Sequence, residues 1–382
     1  MKPPRVLIAG LGDSGVLTAI RLARHTQVTG ISAKPGLLSG QELGTRLARP
    51  EQWAQDYWIP FDRFRGLDRV RTRHATLTGL DLAHRTVSAT DIDGTQREEP
   101  YDILVISTGV GNGFWRTPRI ETDQQIGDQL RATHQKLAAA NTIAVVGGGA
   151  AAVSSALNLA TVWPKKQVAL YYPGERALTE HHRRTWTHIE RRLIAAGVRL
   201  HPGHRALVPD GFSGDRITSD PVEWSTGHAP AHVDAVLWTI GLVSPNTQWL
   251  PAELLDDDGF VRVTPQLQVP GHPDIFAIGD VAATDPLRGS ARNRADGLLA
   301  RNIRAVSDGT RLGSYRPARR RWGSVLGAQP DGLQVFTPSG FPVRFPAWSV
   351  DTVLRPWIVR RGIYRGVRDN SAAARAEPPS AP

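Results

Sequence analysis

At 382 residues, with 40% hydrophobic and 21% charged side chains, the chain has room for two or three domains with buried cores, and disorder is excluded for its bulk. Cysteine is absent, which excludes disulfide staples, thiolate metal sites and cysteine redox relays, and no apolar run nears the ~20 residues that a membrane span requires. The net charge of +10 is concentrated: residues 310–368 carry eleven arginines against two aspartates, as in a docking surface for phosphate, acidic protein or anionic lipid, or in a plain solvated face.

Met1-Lys2-Pro3-Pro4 runs straight into an apolar stretch with no secretory pattern, so a cytoplasmic location is the default expectation. Strand-like apolar runs then alternate with helical stretches, the pattern of parallel sheets with crossover helices. The first unit is a strand at 6–9, a glycine-rich turn, a helix at 16–24 and a strand at 28–32. Residues 34–68 are irregular and aromatic, with Trp53, Tyr57, Trp58, Phe61 and Phe64. Short antiparallel strands are predicted at 74–78, 85–90 and 96–100, the last two joined by an Asp93-Gly94 turn, before a buried strand at 101–107. A second unit repeats the first with a strand at 142–146, a glycine-rich turn, a helix at 150–161 and a strand at 167–172. A helix at 181–196 and strands at 198–201 and 233–239 follow. Residues 274–277 lead into Ile278-Gly279-Asp280 and a helix at 290–306. Past Gly309, turn signals at Gly327, Asp331-Gly332 and Pro338-Ser339-Gly340 separate strand-like runs. The last stretch, rich in Ala, Pro and Ser, reads as a disordered tail.

Gly10-Leu11-Gly12-Asp13-Ser14-Gly15 is GxGxxG between a strand and a helix. Gly10 permits the tight turn, Gly12 lets backbone approach a pyrophosphate at the helix N-terminus, and Gly15 allows close helix–strand packing. Gly147-Gly148-Gly149-Ala150-Ala151-Ala152 repeats the device as GxGxxA. Two such turns imply two dinucleotides, usually a hydride donor and a tightly held flavin. Strands ending in Ser107-Thr108-Gly109 and Thr239-Ile240-Gly241 turn beside a ligand in the same manner. Asp280, just past a buried strand, suits ribityl hydroxyls or a helix N-cap.

In this order the motifs resemble the two-dinucleotide-binding-domain flavoproteins over about residues 5–368. Among these, the apoptosis-inducing-factor-like and ferroptosis-suppressor-like oxidoreductases, relatives of the type II NADH:quinone dehydrogenases, are the nearest in pattern. The resemblance implies an α/β fold with two Rossmann-like dinucleotide-binding domains, the second inserted in the first, plus a small C-terminal α+β region. Residues 1–115 and 246–309 would hold FAD, 116–245 would hold NADPH or NADH, 310–369 form a basic C-terminal region and 370–382 the tail. Hydride would pass from the nicotinamide to the flavin N5, and electrons would leave to a quinone or similar small-molecule acceptor. The motifs place Gly10, Gly12, Gly15, Thr108, Gly109, Gly279 and Asp280 at FAD, and Gly147, Gly149, Ala152 and Gly241 at the nicotinamide dinucleotide. Asp13, Ser14, Ser32, Lys34, Arg46 and Thr76 complete the FAD-side candidates, and Arg176 the NAD(P)H side. Lys34, Arg46 and Arg294 are further candidates for flavin or substrate contact. The N-terminus of the helix at 290–306 is placed to favour an anionic reduced flavin.

The chain departs from the family pattern in four places. Ser32, with Lys34 beyond, stands where an acid is expected on the adenosine ribose. Ser154 stands where Glu is expected near the nicotinamide. The second module's second strand runs into Tyr172-Pro173-Gly174-Glu175-Arg176 without an acid at its tip, which with Arg176 favours NADPH slightly over NADH. Ser290-Ala291-Arg292-Asn293-Arg294-Ala295-Asp296 lacks the Gln-rich spacing of the quinone dehydrogenases, so the acceptor need not be a quinone.

His181, His182 and His188 read as a surface face rather than a zinc site, and Asp256-Asp257-Asp258-Gly259 as a turn rather than a calcium loop. The aromatics at 53–58 either flank the flavin or fill the core. Residues 348–368 are basic and amphipathic, interrupted at Pro356. They suit either an anionic membrane surface, with peripheral association, or packing over the flavin domain with the arginines in water. The expected function is a FAD-dependent NAD(P)H oxidoreductase that passes electrons directly to its acceptor, with no obligatory acid or base side chain. Its rivals are a flavoprotein oxidase or oxygenase of a specialised metabolite, and a redox-responsive binding protein docking through its basic C-terminus. Neither a metal nor a nucleic-acid partner is expected.

Overall fold

The computed structural model describes residues 3–38, 43–111, 117–241, 243–284, 295–317 and 323–369. Arg294, the start of the helix expected at 290–306 and the expected tail at 370–382 lie outside them. Strand β1 (Arg5–Ala9) is apolar on both faces: Val6 and Ile8 pack on the side of helix α1 (Asp13–Leu22), and Leu7 and Ala9 enter the core behind the sheet. Cover on both sides is why such strands read as unbroken apolar runs. Strand β2 (Gln27–Ser32) pairs parallel to β1.

The aromatic stretch that reads as irregular is ordered. A hairpin of β3 (Gly36–Leu38) and β4 (Trp58–Pro60) flanks helices α2 (Leu43–Ala48) and α3 (Pro50–Tyr57). Strand β5 (Val70–Asp81) is longer than its sequence reading because its two halves have different partners. Residues 70–74 pair parallel with β2, whereas from Ala75 onward the strand pairs antiparallel with β6 (Thr86–Asp91), with a register shift between Leu77 and Gly79. Strands β7 (Gln96–Pro100) and β8 (Ile103–Ile106) follow, the latter returning parallel beside β1.

The chain leaves this sheet through β9 (Val110–Gly111) and enters α4 (Asp123–Ala139), a helix that the apolar pattern alone did not disclose. Its second module comprises β10 (Thr142–Val146), α5 (Ala150–Val162), β11 (Gln167–Tyr171), α6 (Arg183–Ala195), β12 (Arg199–His201) and β13 (Ala235–Trp238). The four strands form a parallel sheet in the order β12-β11-β10-β13. The chain returns through β14 (Ser244–Pro245), which lies antiparallel against β9, so the two crossings run side by side. Strands β15 (Gln268–Val269) and β16 (His272–Ala277) then complete the first sheet, in the order β15-β16-β8-β1-β2-β5-β6-β7. Helix α7 (Ala295–Asp308) packs on α1, where Arg21 pairs with the buried Asp296.

The C-terminal region is an antiparallel sheet of β17 (Ala328–Gln329), β18 (Gly332–Phe336) and β19 (Pro342–Phe345), followed by a π-type helix, Val350–Ile363. The expected break at Pro356 is corrected: the helix runs through it. In this wider turn backbone bonds reach the fifth residue back, as Tyr364 N–H donates to Val359 O at 3.0 Å. The proline ring is thereby shifted off the carbonyl it would strike in an α-helix.

Candidate functional site

The first glycine turn is shaped by contacts that exclude side chains. Gly10 has φ +100°, and a Cβ there would lie 2.5 Å from Ser107 O. A Cβ on Gly15 would lie 2.0 Å from Gly10 O, so this glycine seats α1 against β1. At Gly12, the uncapped N-cap of α1, a Cβ would meet nothing within 4 Å. Its open side faces a cavity of about 390 Å³, within the range of small-ligand sites. The unsatisfied N–H groups of α1 therefore point at a space that suits an anion. Ser14 lines that space, and its buried Oγ has no hydrogen-bond partner among the described residues. A phosphate would satisfy these donors, so the turn fits the pyrophosphate of a dinucleotide.

Every FAD-side candidate except Gly15 and Arg46 lines this cavity. Ser32 accepts the backbone N–H of Lys34 at 3.1 Å. Lys34, drawn down to about 8 chiefly by burial and then by Arg119, donates to Arg119 O at 2.8 Å and pairs with Glu121. An acid thus does reach the tip of β2, but it arrives from the outgoing crossing and is engaged by Lys34 and by Gln129 Nε2 at 2.9 Å. Thr76 joins the wall from β5. Asp280, 5% exposed, and Gly279 close the far side. Arg46 lies elsewhere, fully buried with its guanidinium 4.9 Å over the Trp53 ring. Trp53 belongs to the core against α4 and α5, so of the two readings of this aromatic the core one holds.

The return crossing adds residues that the motifs do not include. Thr108 Oγ1 donates to Asn246 O at 2.8 Å, Asn246 Nδ2 donates to Thr108 O at 3.0 Å, and Asn246 N–H donates to Gly109 O at 3.1 Å. Asn246, Gln248 and Trp249 all line the cavity. Their only sequence signal is their position directly after the Gly241-x-x-x-Pro245 stretch.

The second turn repeats the first. Gly147 has φ +143°, and a Cβ there would lie 2.2 Å from Thr239 O. Thr239 Oγ1 donates to Val146 O at 2.8 Å, as Ser107 Oγ donates to Gly10 O at 2.7 Å in the first module. Gly149 is again an uncapped N-cap with open space beside it, Ala152 is fully buried, and Gly241 (φ +72°) has room around it. The tip of β11 is different. Tyr172 turns inward, edge-on to Trp186 at 5.6 Å, and burial pushes its phenol up to about 12. Arg176 donates to the carbonyls of Leu178 (3.0 Å), Thr179 (2.9 Å) and His181 (3.3 Å), fastening its own loop. Ser154 is buried, donates to Leu326 O at 3.3 Å, and lies so close to α2 that a Cβ on Gly44 would be 2.5 Å from its carbonyl oxygen. A glutamate at that position has no room to extend.

The sequence profile of the pyridine nucleotide-disulphide oxidoreductases matches residues 4–309. The chain belongs to this family. It is an NAD(P)H-dependent oxidoreductase whose cofactors are FAD and NAD(P)H. Oxidoreductase ptaL of Pestalotiopsis fici is 26% identical over 307 residues, covering 73% of this chain and 77% of the relative. Demethylphylloquinone reductase NdbB of Synechocystis sp. is 28% identical over 303 residues, covering 73% and 72%. Among solved structures, the water-forming NADH oxidase of Lactobacillus brevis bound to NADH matches with a TM-score of 0.61 at 18% identity over 87% of this chain and 74% of that one. The reduced Bacillus anthracis CoADR-RHD matches with a TM-score of 0.62 at 15% identity over 85% of this chain but only 60% of its own. At these identities the structural matches establish the fold alone.

Proposed function

We propose that the chain binds FAD at the first glycine turn and NAD(P)H at the second, and reduces a small acceptor such as a quinone without a cysteine relay. FAD held there would supply a hydride acceptor for the nicotinamide and an electron donor for the acceptor. The protein's part is to hold and orient. The α1 N-terminus and Ser14 would take the pyrophosphate, Asp280 the ribityl hydroxyls, and the Thr108–Asn246 joint would fix the two modules beside the flavin. The cavity at Gly12 carries the reading, because it gathers residues separated by up to 270 positions around one helix N-terminus. The relatives include a quinone reductase, which supports a quinone-class acceptor.

Neither usual means of telling NADH from NADPH is present on the second module: the tip of β11 has no acid, and Arg176 is engaged by carbonyls. A ratio of kcat/KM for the two within about tenfold, or about 1.4 kcal/mol, is therefore expected. The purified protein should show an oxidised flavin spectrum that bleaches anaerobically with either nucleotide and recovers with a short-chain quinone. A preparation that stays colourless after incubation with excess FAD overturns the reading; bleaching without quinone recovery overturns the acceptor.

The C-terminal helix supports peripheral attachment to an anionic surface. Trp348 and Trp357 are 67% and 57% exposed and Val353, Ile358 and Ile363 also face outward, while Arg355 turns inward to pair with Asp56 at 2.9 Å. No helix among the described residues is long and apolar enough to cross a membrane. Sedimentation with anionic vesicles, lost on Trp348→Ala with Trp357→Ala, tests this attachment; equal recovery of parent and variant rejects it.

A further inference from the structure

We propose that Tyr364, in the C-terminal segment, is a positioning residue for the flavin: it holds the Asp13 carboxylate away from the phosphate seat of the first glycine turn. The inference rests on reading that turn as the FAD site. Asp13 is the first residue of α1 and lines the cavity, so its charge sits at the same helix N-terminus that would receive a pyrophosphate. A helix N-terminus favours any anion. Two anions there compete for the same N–H groups and repel one another.

One partner of this carboxylate is neutral. Tyr364 Oη donates to Asp13 Oδ1 at 2.9 Å, across 351 positions of sequence. The tyrosine is 9% exposed and meets Phe64 edge-on, with ring centroids 5.3 Å apart. Burial, with the Asp13 charge behind it, raises the phenol well above its usual range, so it remains a donor throughout ordinary pH.

The segment that carries Tyr364 is fastened along the turn after β4. Arg65 N–H donates to Gly366 O at 3.0 Å and Arg368 N–H to Arg63 O at 2.8 Å. The Arg368 guanidinium grips Asp68 with two bonds of 2.9 and 2.7 Å. Gly366, at φ +108° with Arg65 Cδ 3.0 Å from where its Cβ would stand, lets the strand lie this close. The C-terminal region therefore meets a residue of the cavity wall, Asp13, through the Tyr364 hydroxyl.

The test is titration of the flavin-free full chain with FAD, read by flavin fluorescence, in Tyr364→Phe, Asp13→Asn and the double variant. Phenylalanine keeps the ring against Phe64 and removes only the donor. Tyr364→Phe is expected to bind FAD about tenfold more weakly, and the deficit should shrink in concentrated salt, as repulsion between charges does. Asp13→Asn should bind at least as tightly as the parent, and the double variant should bind as Asp13→Asn does. Unchanged affinity in Tyr364→Phe overturns the proposal. So does a loss that persists in the Asp13→Asn background, which makes Tyr364 a packing residue. A parent chain that takes up no FAD overturns the site reading itself, a result none of the variants can mimic.

Discussion

Gly10 and Gly12 stand two positions apart in one turn and answer to different constraints. Gly10→Ala forces a left-handed conformation on alanine and drives Cβ to 2.5 Å from a backbone oxygen. A loss of about 2–4 kcal/mol in chemical denaturation is expected. Gly12→Ala meets open space, so its stability should change by no more than about 1 kcal/mol, while the flavin absorbance of the purified protein should fall sharply. Lys34 and Glu121 make the second residue-scale case. Both side chains are nearly buried, so Lys34→Ala leaves a carboxylate without its cation and should cost about 3–5 kcal/mol. Replacing both, as Lys34→Met with Glu121→Gln, should recover most of that loss in the same denaturation measurement. The glycines were legible in the sequence because a turn is encoded by consecutive residues. Glu121 was not, because its partner lies 87 positions away.

At the scale of elements, unbroken apolar runs located the parallel strands well, since a strand covered on both faces needs no other code. Helix α4 was harder: only Ile126, Leu130 and Leu137 are buried, a thin apolar stripe on a polar helix. Its start is nevertheless written in sequence. Gln125 N–H donates to Thr122 Oγ1 at 3.2 Å and Thr122 N–H donates to Gln125 Oε1 at 2.8 Å, a reciprocal cap. Thr122→Ala should cost about 1 kcal/mol, measured by thermal or denaturant melting. The C-terminal helix was legible only as a choice between two settings, an anionic surface or packing over the flavin domain. Its residues recur at a 3.6 spacing, but the wider π-type winding puts Val353, Trp357 and Ile358 outside and carries Arg355 to Asp56.

On the scale of the whole molecule, the C-terminal region braces both modules. It reaches the first through Tyr364 and Arg368, and the second through α6. There Arg192 grips Asp331 at 3.1 and 3.2 Å, and His188 Nε2 accepts from Gln334 Nε2 at 2.8 Å. Burial, followed by the Arg192 charge, holds His188 below its usual range, and only the neutral ring can accept that bond. The unfolded chain therefore binds a proton near pH 6.5 that the folded chain resists, so this contribution is complete above about pH 6.5 and falls away as pH drops below it. The parent should lose more thermal stability between pH 7.5 and 5.5 than His188→Asn does. Equal slopes would separate the histidine from the docking of the C-terminal sheet.

The amino-acid sequence by itself determined the two glycine turns, the strands that feed them and the doubled α/β plan. Each of these is a matter of near neighbours: which residues tolerate a turn, and which runs must be covered. Only the tertiary structure decided what stands around those turns. Asn246 against Thr108, Glu121 at the tip of β2, Gly44 against Ser154 and Tyr364 on Asp13 are pairings between distant segments. Such pairings depend on how the modules and the C-terminal brace pack together, and no local spacing carries that information.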